Sequence, residues 1–197
     1  MGIKLKICGI GNLADAIAIN SIDGVSYMGM INDPISPRFV SDLELLKVAR
    51  IVDKPLVAVR VNGTISDIDR IPTKMVQIHR VLNDRELEEL SMLSKRFILF
   101  VPASLDYLDY LKKAQKYSDY ILFDSPRKGI EVNLEVVKKM LDYHPDAGVG
   151  GKINLSNVHE FIRLNPGWID VSSGIEFYPG KKDLDKVRRL AEVVKNA

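Results

Sequence analysis

The segment Lys-Leu-Lys-Ile-Cys-Gly at residues 4–9 decides how the chain begins to fold. Apolar and polar residues alternate along it, and a period of two residues predicts a β-strand. The glycine at its end breaks that strand. Asn12, a favoured N-cap residue, then begins a helix that we expect to run to about Asn20. A strand, a loop and an amphipathic helix are therefore predicted within residues 4–20.

The same unit recurs to the end of the chain. We predict strands at residues 4–8, 25–31, 56–61, 74–79, 97–101, 119–124, 146–150 and 168–172. We predict helices at residues 12–20, 65–69, 84–94, 104–117, 133–143, 154–164 and 183–195, and one more that begins at Ser41, where Glu44 has capping-box spacing. Eight units of about 25 residues lie near the lower size limit of a (β/α)8 barrel. The prediction is an α/β fold, a single compact (β/α)8 TIM barrel with short loops over residues 1–197; an open doubly wound sheet is the alternative.

Composition narrows the possible partners. Hydrophobic residues make up 46% of the chain, and no linker-like stretch interrupts it, so one domain with one core is expected. A net charge of +2, without a basic block interleaved with aromatics, argues against nucleic acid. No apolar run reaches membrane-spanning length, the N-terminus lacks the apolar core of a signal peptide, and one cysteine excludes an internal disulfide. We therefore expect a cytoplasmic protein that binds a small molecule and no membrane.

A closed barrel carries its functional site at the carboxyl ends of its strands and in the loops that follow. Polar residues at these ends alternate with apolar ones; Gln77 and His79, for example, share the face opposite Val76 and Ile78. If the apolar face packs on the outer helices, the polar face points into the barrel mouth. The candidate residues are Cys8, Arg38, Asn62, Gln77, His79, Asp124, Gly150, Gly151, Asp170, Ser172, Ser173 and Gly174.

Cys8, the only cysteine, has two possible explanations. A lone cysteine is most often a small buried hydrophobe, and its position alone favours that explanation. However, the thiol shares a strand face with Lys6 and lies close to the helix start at Asn12, and both features favour a thiolate. The other candidate residues must decide between a structural and a catalytic cysteine.

Two glycine-containing segments in the last quarter predict a phosphate site. Residues 148–152 read Gly-Val-Gly-Gly-Lys, and residues 172–174 read Ser-Ser-Gly. Backbone N–H groups at such turns bind phosphate, and the loops after the seventh and eighth strands are the usual phosphate site of these barrels. The two segments together predict a phosphorylated small-molecule ligand.

These residues occur in a recognisable order. The chain resembles the phosphoribosylanthranilate isomerase family of tryptophan biosynthesis along nearly its whole length. The motifs that carry the resemblance are KICGI at 6–10, SPRFVS at 36–41, VQIH at 76–79, LFD at 122–124, Gly151 with Asn157 and Val158, IDVSSGIE at 169–176, and PGKKD at 179–183. The motifs KICGI and IDVSSGIE are specific, those between them are supportive, and the match extends through PGKKD.

The resemblance implies an Amadori rearrangement of N-(5-phosphoribosyl)anthranilate to 1-(2-carboxyphenylamino)-1-deoxyribulose 5-phosphate, with no cofactor and no metal. Asp124 would be the general acid that opens the furanose ring, and Cys8 the general base that removes the C2 proton. Such roles need the two pKa values adjusted by their surroundings. The competing hypotheses are a barrel that binds a phosphosugar without turnover and a lyase of the tryptophan synthase alpha type.

The resemblance also assigns binding roles. Arg38 would clamp the anthranilate carboxylate, because a guanidinium suits a planar anion. Asp170 would hold sugar hydroxyls or the anthranilate amine, and Gln77 and His79 are either ligand contacts or satisfied core residues. The predicted phosphate-binding residues are Gly150, Gly151, Lys152, Ser172, Ser173 and Gly174. The chain would act as a monomer or a homodimer.

Three departures from the family pattern carry expectations of their own. The loop after Asp124 is short, so Arg127 or Lys128 would supply contacts that a longer loop makes elsewhere. Lys152 would add charge to the phosphate site. Arg60, whose parity with Asn62 aims it inward, is expected to pair with Asp124 or Asp170.

Overall fold

A computed structural model of the chain describes residues 2–127 and 129–197. Eight parallel strands pair in chain order, and the first pairs with the eighth, so the sheet closes into a barrel. The strands are β1 Lys4–Ile7, β2 Tyr27–Ile31, β3 Leu56–Arg60, β4 Met75–Ile78, β5 Arg96–Pro102, β6 Tyr120–Asp124, β7 Gly148–Val149 and β8 Trp168–Val171. Closure confirms the predicted (β/α)8 barrel and rules out the open sheet.

A helix follows each strand and packs on the outside of the barrel. The helices are α1 Leu13–Asn20, α2 Asp42–Ala49, α3 Ile65–Asp69, α4 Asp84–Ser91, α5 Leu108–Ala114, α6 Leu134–Leu141, α7 Val158–Ile162 and α8 Leu184–Lys195. Short 3-10 turns at Leu105–Tyr107 and Ser173–Ile175 precede α5 and follow β8. Within the described ranges, no helix combines the length and the apolar character needed to cross a membrane.

Side-chain caps set where the helices begin. The Asn12 side chain accepts a hydrogen bond from the backbone N–H of Asp15 at 2.8 Å, as expected for an N-cap. Ser41 and Glu44 form the predicted capping box. The prediction for α7 was too long, because Asn154 Oδ1 accepts from the backbone N–H of Ser156 and holds that segment in a turn. Helix α7 therefore begins at Val158, four residues later than expected.

The barrel has an apolar layer on each side of its strands. The outward strand residues, such as Leu5, Ile7 and Ile169, are buried against the helices. Inside the barrel, Val57, Met75, Ile98, Leu122 and Trp168 form a second apolar cluster. Two residues further along the same inward faces, β4, β6 and β8 carry the polar residues Gln77, Asp124 and Asp170, whereas β3 and β5 carry Val59 and Phe100. The interior is therefore closed by apolar side chains, above which the polar mouth begins.

A small hairpin follows β8 and was not predicted. Strand β9, Glu176–Tyr178, pairs antiparallel with β10, Lys181–Lys182. Its turn contains Gly180 with φ +87°, a conformation that L side chains rarely adopt. The Gly180 carbonyl accepts a hydrogen bond from the backbone N–H of Gly11 at 3.0 Å, which ties the hairpin to the loop after β1. This connection brings the ends of the hairpin to the barrel mouth.

Candidate active site

Lys6, on the inward face of β1, is the centre of the polar layer. Its side chain is fully buried, and Nζ donates to Asp170 Oδ2 at 2.9 Å, to Asp170 Oδ1 at 3.1 Å and to Gln77 Oε1 at 2.8 Å. Burial by itself disfavours the ammonium, but the Asp170 carboxylate and Cys8 outweigh it, so the pKa of Lys6 lies above its ordinary value. A charged lysine and its carboxylate partner therefore lie beneath the mouth.

Cys8 lies directly after β1, on the same face as Lys6, and is buried. Gly29 on β2 leaves the space for its thiol, because a Cβ at that position would lie 2.9 Å from Cys8 Sγ. Burial raises the pKa of Cys8, and the nearby Lys6 charge opposes that rise only in part. The prediction that its position lowers the thiol pKa is therefore wrong, since loss of hydration exceeds the attraction of the ammonium.

Asp124, the last residue of β6, reaches the mouth from the opposite side of the barrel. Burial raises the pKa of its carboxyl to about 6; the Ser125 N–H, which donates to Oδ1 at 2.6 Å, works against the rise, and the Asp170 charge adds to it. Gly150 leaves the space for this carboxyl, because a Cβ there would lie 2.9 Å from Asp124 Cγ. Burial of the carboxyl is therefore the main cause of the raised Asp124 pKa, and the sequence did not reveal it.

His79 follows β4 and lies between Gln77 and Asp124. Its ring packs against that of Phe100, with centroids 4.4 Å apart and planes tilted by 34°. Nδ1 lies 3.1 Å from Gln77 Nε2, and Nε2 lies 3.9 Å from Asp124 Oδ2. Burial lowers the pKa of His79 to about 4. The ring is therefore neutral at physiological pH and faces the Asp124 carboxyl without an ion pair.

Arg38, in the loop after β2, is held by a residue that sequence reasoning did not select. Its Nε donates to Glu176 Oε1 at 2.8 Å, and its Nη2 donates to Glu176 Oε2 at 2.7 Å. The same carboxylate accepts from the fully buried Lys182 Nζ at 2.8 Å. Burial alone would raise the pKa of Glu176, but the hydrogen bonds from Arg38 and Lys182 hold it below its usual range. Glu176 therefore occupies the Nε–Nη2 edge of the Arg38 guanidinium.

The two predicted phosphate loops lie against each other. A Cβ at Gly174 would overlap the Ile153 carbonyl oxygen, so the loop after β8 packs directly on the loop after β7. Gly151 has φ +111° and Lys152 has φ +55°, which is uncommon for a lysine. Ser172 lies beside the turn after β1, since a Cβ at Gly9 would lie 2.7 Å from its Oγ. Gly150 belongs to the loop after β7, but it also lies against the Asp124 carboxyl.

One of the departures, Arg60, has a structural outcome. Val59 pairs with Gln77 in the barrel and shares its inward face, so Arg60 points outward. Arg60 Nη1 donates to the Asn32 carbonyl, and the predicted pairing with Asp124 or Asp170 is wrong. The parity count failed because it started from Asn62, which lies beyond the end of β3. Lys128 lies outside the described residues.

The structure therefore brings most predicted site residues to one mouth and adds three that sequence reasoning did not select, Gly29, Glu176 and Lys182. These three are recognised only by contacts between distant segments, whereas the place of Lys6 followed from the strand face that it shares with Cys8. No group of three or more His, Cys, Asp or Glu side chains suited to a metal ion occurs within residues 2–127 and 129–197.

Comparison with known proteins identifies relatives of the whole chain. A family model described as N-(5'-phosphoribosyl)anthranilate (PRA) isomerase matches residues 5–193. The chain is 49% identical over 197 residues to the N-(5'-phosphoribosyl)anthranilate isomerase of Saccharolobus solfataricus, covering 98% of this chain and 96% of that protein. It is 42% identical over 194 residues to the corresponding protein of Sulfolobus acidocaldarius, again covering 98% of this chain and 96% of the relative.

Solved structures share the fold. Phosphoribosylanthranilate isomerase from Thermus thermophilus matches with a TM-score of 0.86 at 22% identity, covering 98% of this chain and 99% of that one. A phosphoribosylanthranilate isomerase in complex with reduced 1-(o-carboxyphenylamino)-1-deoxyribulose 5-phosphate matches with a TM-score of 0.82 at 25% identity, covering 99% of this chain and 100% of that one.

A closed barrel with titratable groups at the carboxyl ends of its strands defines a (β/α)8-barrel enzyme. The family match and the identities to its members narrow that class. The chain belongs to the N-(5'-phosphoribosyl)anthranilate isomerase family. The resemblance drawn from its motifs is therefore confirmed, together with the expected class of enzyme, an isomerase of tryptophan biosynthesis.

Proposed function

We propose that this barrel, as one domain, converts N-(5-phosphoribosyl)anthranilate to 1-(2-carboxyphenylamino)-1-deoxyribulose 5-phosphate, with Asp124 as general acid and Cys8 as general base. The observation that carries the proposal is the pair of environments at the mouth. Asp124 has a pKa of about 6, so it is a carboxyl that can hold a proton near neutral pH. Cys8 lies across the mouth beside the buried Lys6 ammonium, which offsets part of the rise that burial causes in the pKa of its thiol.

The reaction would begin at the furanose ring. Asp124 gives its proton to the ring oxygen as the bond from C1 to that oxygen breaks, and the anthranilate nitrogen supplies the electron pair that forms the Schiff base. The Cys8 thiolate then removes the proton from C2, and the C2–H electrons form the enolamine. Tautomerisation of the enolamine gives the ketone. Atoms and electrons balance within the substrate, so the reaction needs no cofactor.

The charged groups around the mouth support the binding roles. Glu176 holds Arg38 by its Nε and Nη2 atoms, so the substrate carboxylate would take the free Nη1–Nη2 edge of a fixed guanidinium. Asp170, held by Lys6, would accept from sugar hydroxyls or the anthranilate amine. Gly150, Gly151, Lys152, Ser172, Ser173 and Gly174 would hold the phosphate through backbone N–H groups, hydroxyls and the Lys152 charge.

Turnover of freshly generated phosphoribosylanthranilate, followed by loss of anthranilate fluorescence, tests the proposal. We expect turnover in the parent protein and a loss of about 10²-fold or more in Cys8→Ser and in Asp124→Asn. Asp109→Asn, which alters a carboxylate that is 92% exposed on α5, is the matched control and should leave the rate unchanged. A folded parent that binds the substrate's phosphate but shows no turnover would favour the alternative of a binding barrel.

A further inference from the structure

One chain of hydrogen bonds crosses the barrel interior from Asp170 to His79. Asp170 accepts from Lys6, Lys6 donates to Gln77, and Gln77 lies within hydrogen-bond distance of the His79 ring, at 2.9, 2.8 and 3.1 Å. Gln77 is only 2% exposed and Lys6 is fully buried, so water does not compete for these contacts. Each bond therefore constrains the next one.

The direction of every bond in this chain follows from donor and acceptor chemistry. An ammonium has three donors and no acceptor, so the Gln77 atom that faces Lys6 must be the amide oxygen. The amide NH₂ of Gln77 is then turned towards His79 Nδ1 and can only donate. An imidazole nitrogen that accepts a hydrogen bond carries no proton, and a neutral ring must then carry its proton on Nε2.

We propose that Gln77 is a positioning residue that holds His79 as its Nε2–H tautomer and so presents a fixed hydrogen-bond donor to Asp124. The tilted contact with Phe100 restricts the plane of the His79 ring, and the hydrogen bond from Gln77 restricts which ring nitrogen faces it. Nε2 faces Asp124 Oδ2 at 3.9 Å, across the short gap that a moving carboxyl would close.

This arrangement has a chemical consequence for the proposed reaction. With its proton on Nε2, His79 has no lone pair towards Asp124 and cannot take the proton that the general acid must deliver. It can donate to the carboxylate that remains after Asp124 has given up that proton. The low basicity of the ring, whose pKa is about 4, works in the same direction. This consequence rests on the proposed function, whereas the tautomer itself does not.

The tautomer is measurable without turnover. The chain has three histidines, so long-range ¹H–¹⁵N correlation spectra of the intact protein contain three ring patterns, which His144→Gln and His159→Gln assign by subtraction. We expect His79 at neutral pH to show an unprotonated Nδ1 and a protonated Nε2. A protonated Nδ1 in the folded parent overturns the proposal.

Gln77→Glu tests the positioning role. A carboxylate can accept from Lys6 but has no donor for Nδ1, so we expect Nδ1 of His79 to become protonated. If Gln77→Glu does not fold, Gln77→Met, which keeps a similar volume, takes its place. In Gln77→Met the Nδ1 resonance of His79 should shift, because the hydrogen bond from Gln77 is lost. An unchanged His79 pattern in a folded variant overturns the proposal.

Kinetics separate this proposal from the proposed function. In a parent that turns over, Gln77→Glu should lower kcat about tenfold or more with a smaller change in KM, because the donor to Asp124 is lost during the proton transfer. Unchanged kcat in a variant with a protonated Nδ1 overturns the catalytic consequence. A parent with the expected tautomer and no turnover contradicts the isomerase proposal and leaves the positioning by Gln77 supported.

Discussion

His79 Nε2 and Asp124 Oδ2 lie 3.9 Å apart, and their usual order of basicity is reversed. Burial raises the pKa of Asp124 to about 6 and lowers that of His79 to about 4. In water the first proton would go to the histidine, and the two groups would form an ion pair. Here the first proton goes to the carboxyl, which is what the proposed role of Asp124 as general acid requires.

The pH dependence of kcat/KM should show both proposed groups. The active form carries a protonated Asp124 and a Cys8 thiolate, so its fraction is constant between pH about 6 and the raised pKa of Cys8 and falls outside that range. In Asp124→Asn the plateau should become a rise of about tenfold per pH unit, because only the thiolate then matters.

The substrate needs a control in that experiment, since the second pKa of a phosphate monoester is also about 6. The Asp124→Asn variant provides this control. A change of slope near pH 6 that persists in the kcat/KM profile of the variant belongs to the substrate phosphate. An identical plateau in the parent and the variant would contradict the assignment of Asp124 as the acid.

Alkylation of Cys8 should report its raised pKa directly. Because Cys8 is the only cysteine, mass spectrometry of the intact chain after iodoacetamide treatment counts one site. We expect the rate to keep rising above pH 9 in the folded protein, while in urea it levels off near the ordinary thiol pKa of about 8.5. Lys6→Met should move the folded curve to still higher pH, since the Lys6 charge favours the thiolate. A folded protein that levels off below the urea sample would show that the ammonium dominates.

Loss of the Lys6 ammonium should cost stability, because Asp170 would remain buried without its partner. For Lys6→Met we expect the free energy of unfolding to fall by about 3–5 kcal/mol in urea denaturation. Adding Asp170→Asn should recover a large part of that loss, since the unpaired charge is removed. Lys112→Met, which removes an exposed pair with Asp109, should cost about 0.5 kcal/mol or less. Equal losses in the single and double variants would show that the charge pair does not matter.

The sequence predicted the parts of this structure that depend on local periodicity. The alternation around Gln77 and Asp170 correctly placed both side chains inside the barrel, and Asn12 and Ser41 correctly marked helix starts. The errors arose where distant segments meet. Glu176 holds an arginine 138 residues away, and the Cys8 pKa depends on how completely the barrel excludes water, which no local pattern measures.

Glu176 should matter more for binding than for chemistry, because it holds Arg38 in place. For Glu176→Gln we expect KM to rise about tenfold with kcat changed less, since a neutral amide fixes the guanidinium less firmly. Glu89→Gln, on an exposed pair of α4, is the control and should leave both constants unchanged. A fall in kcat with constant KM would instead place Glu176 in the chemical step.

The same carboxylate should contribute to acid stability. Since the folded pKa of Glu176 is lowered, its contribution is present above the unfolded pKa of about 4.3 and is lost as pH falls through the folded value. The gap in unfolding free energy between the parent and Glu176→Gln should therefore narrow as the pH falls from about 4.3 through the folded pKa of Glu176. A gap that stays constant from pH 7 to the acid range would assign the loss in the variant to geometry alone.

Gly148 and Trp168 are register partners inside the barrel, and the indole ring occupies the space where a side chain at 148 would lie. Gly148→Ala should lower the free energy of unfolding by about 3 kcal/mol, because a rigid ring in a closed barrel has little room to shift. Gly2→Ala is the matched control, since no atom lies within 4 Å of its added methyl group.

Trp168→Phe tests whether a smaller ring makes room for the methyl group of Gly148→Ala. Trp168 Nε1 makes no hydrogen bond within the described ranges, so the smaller ring loses packing but no polar partner. In the double variant Gly148→Ala, Trp168→Phe, the loss in free energy of unfolding should be smaller than the sum of the two single losses by about 1 kcal/mol or more. Strict additivity would contradict the overlap, because two changes that share one space cannot act independently if the ring is what blocks the methyl group.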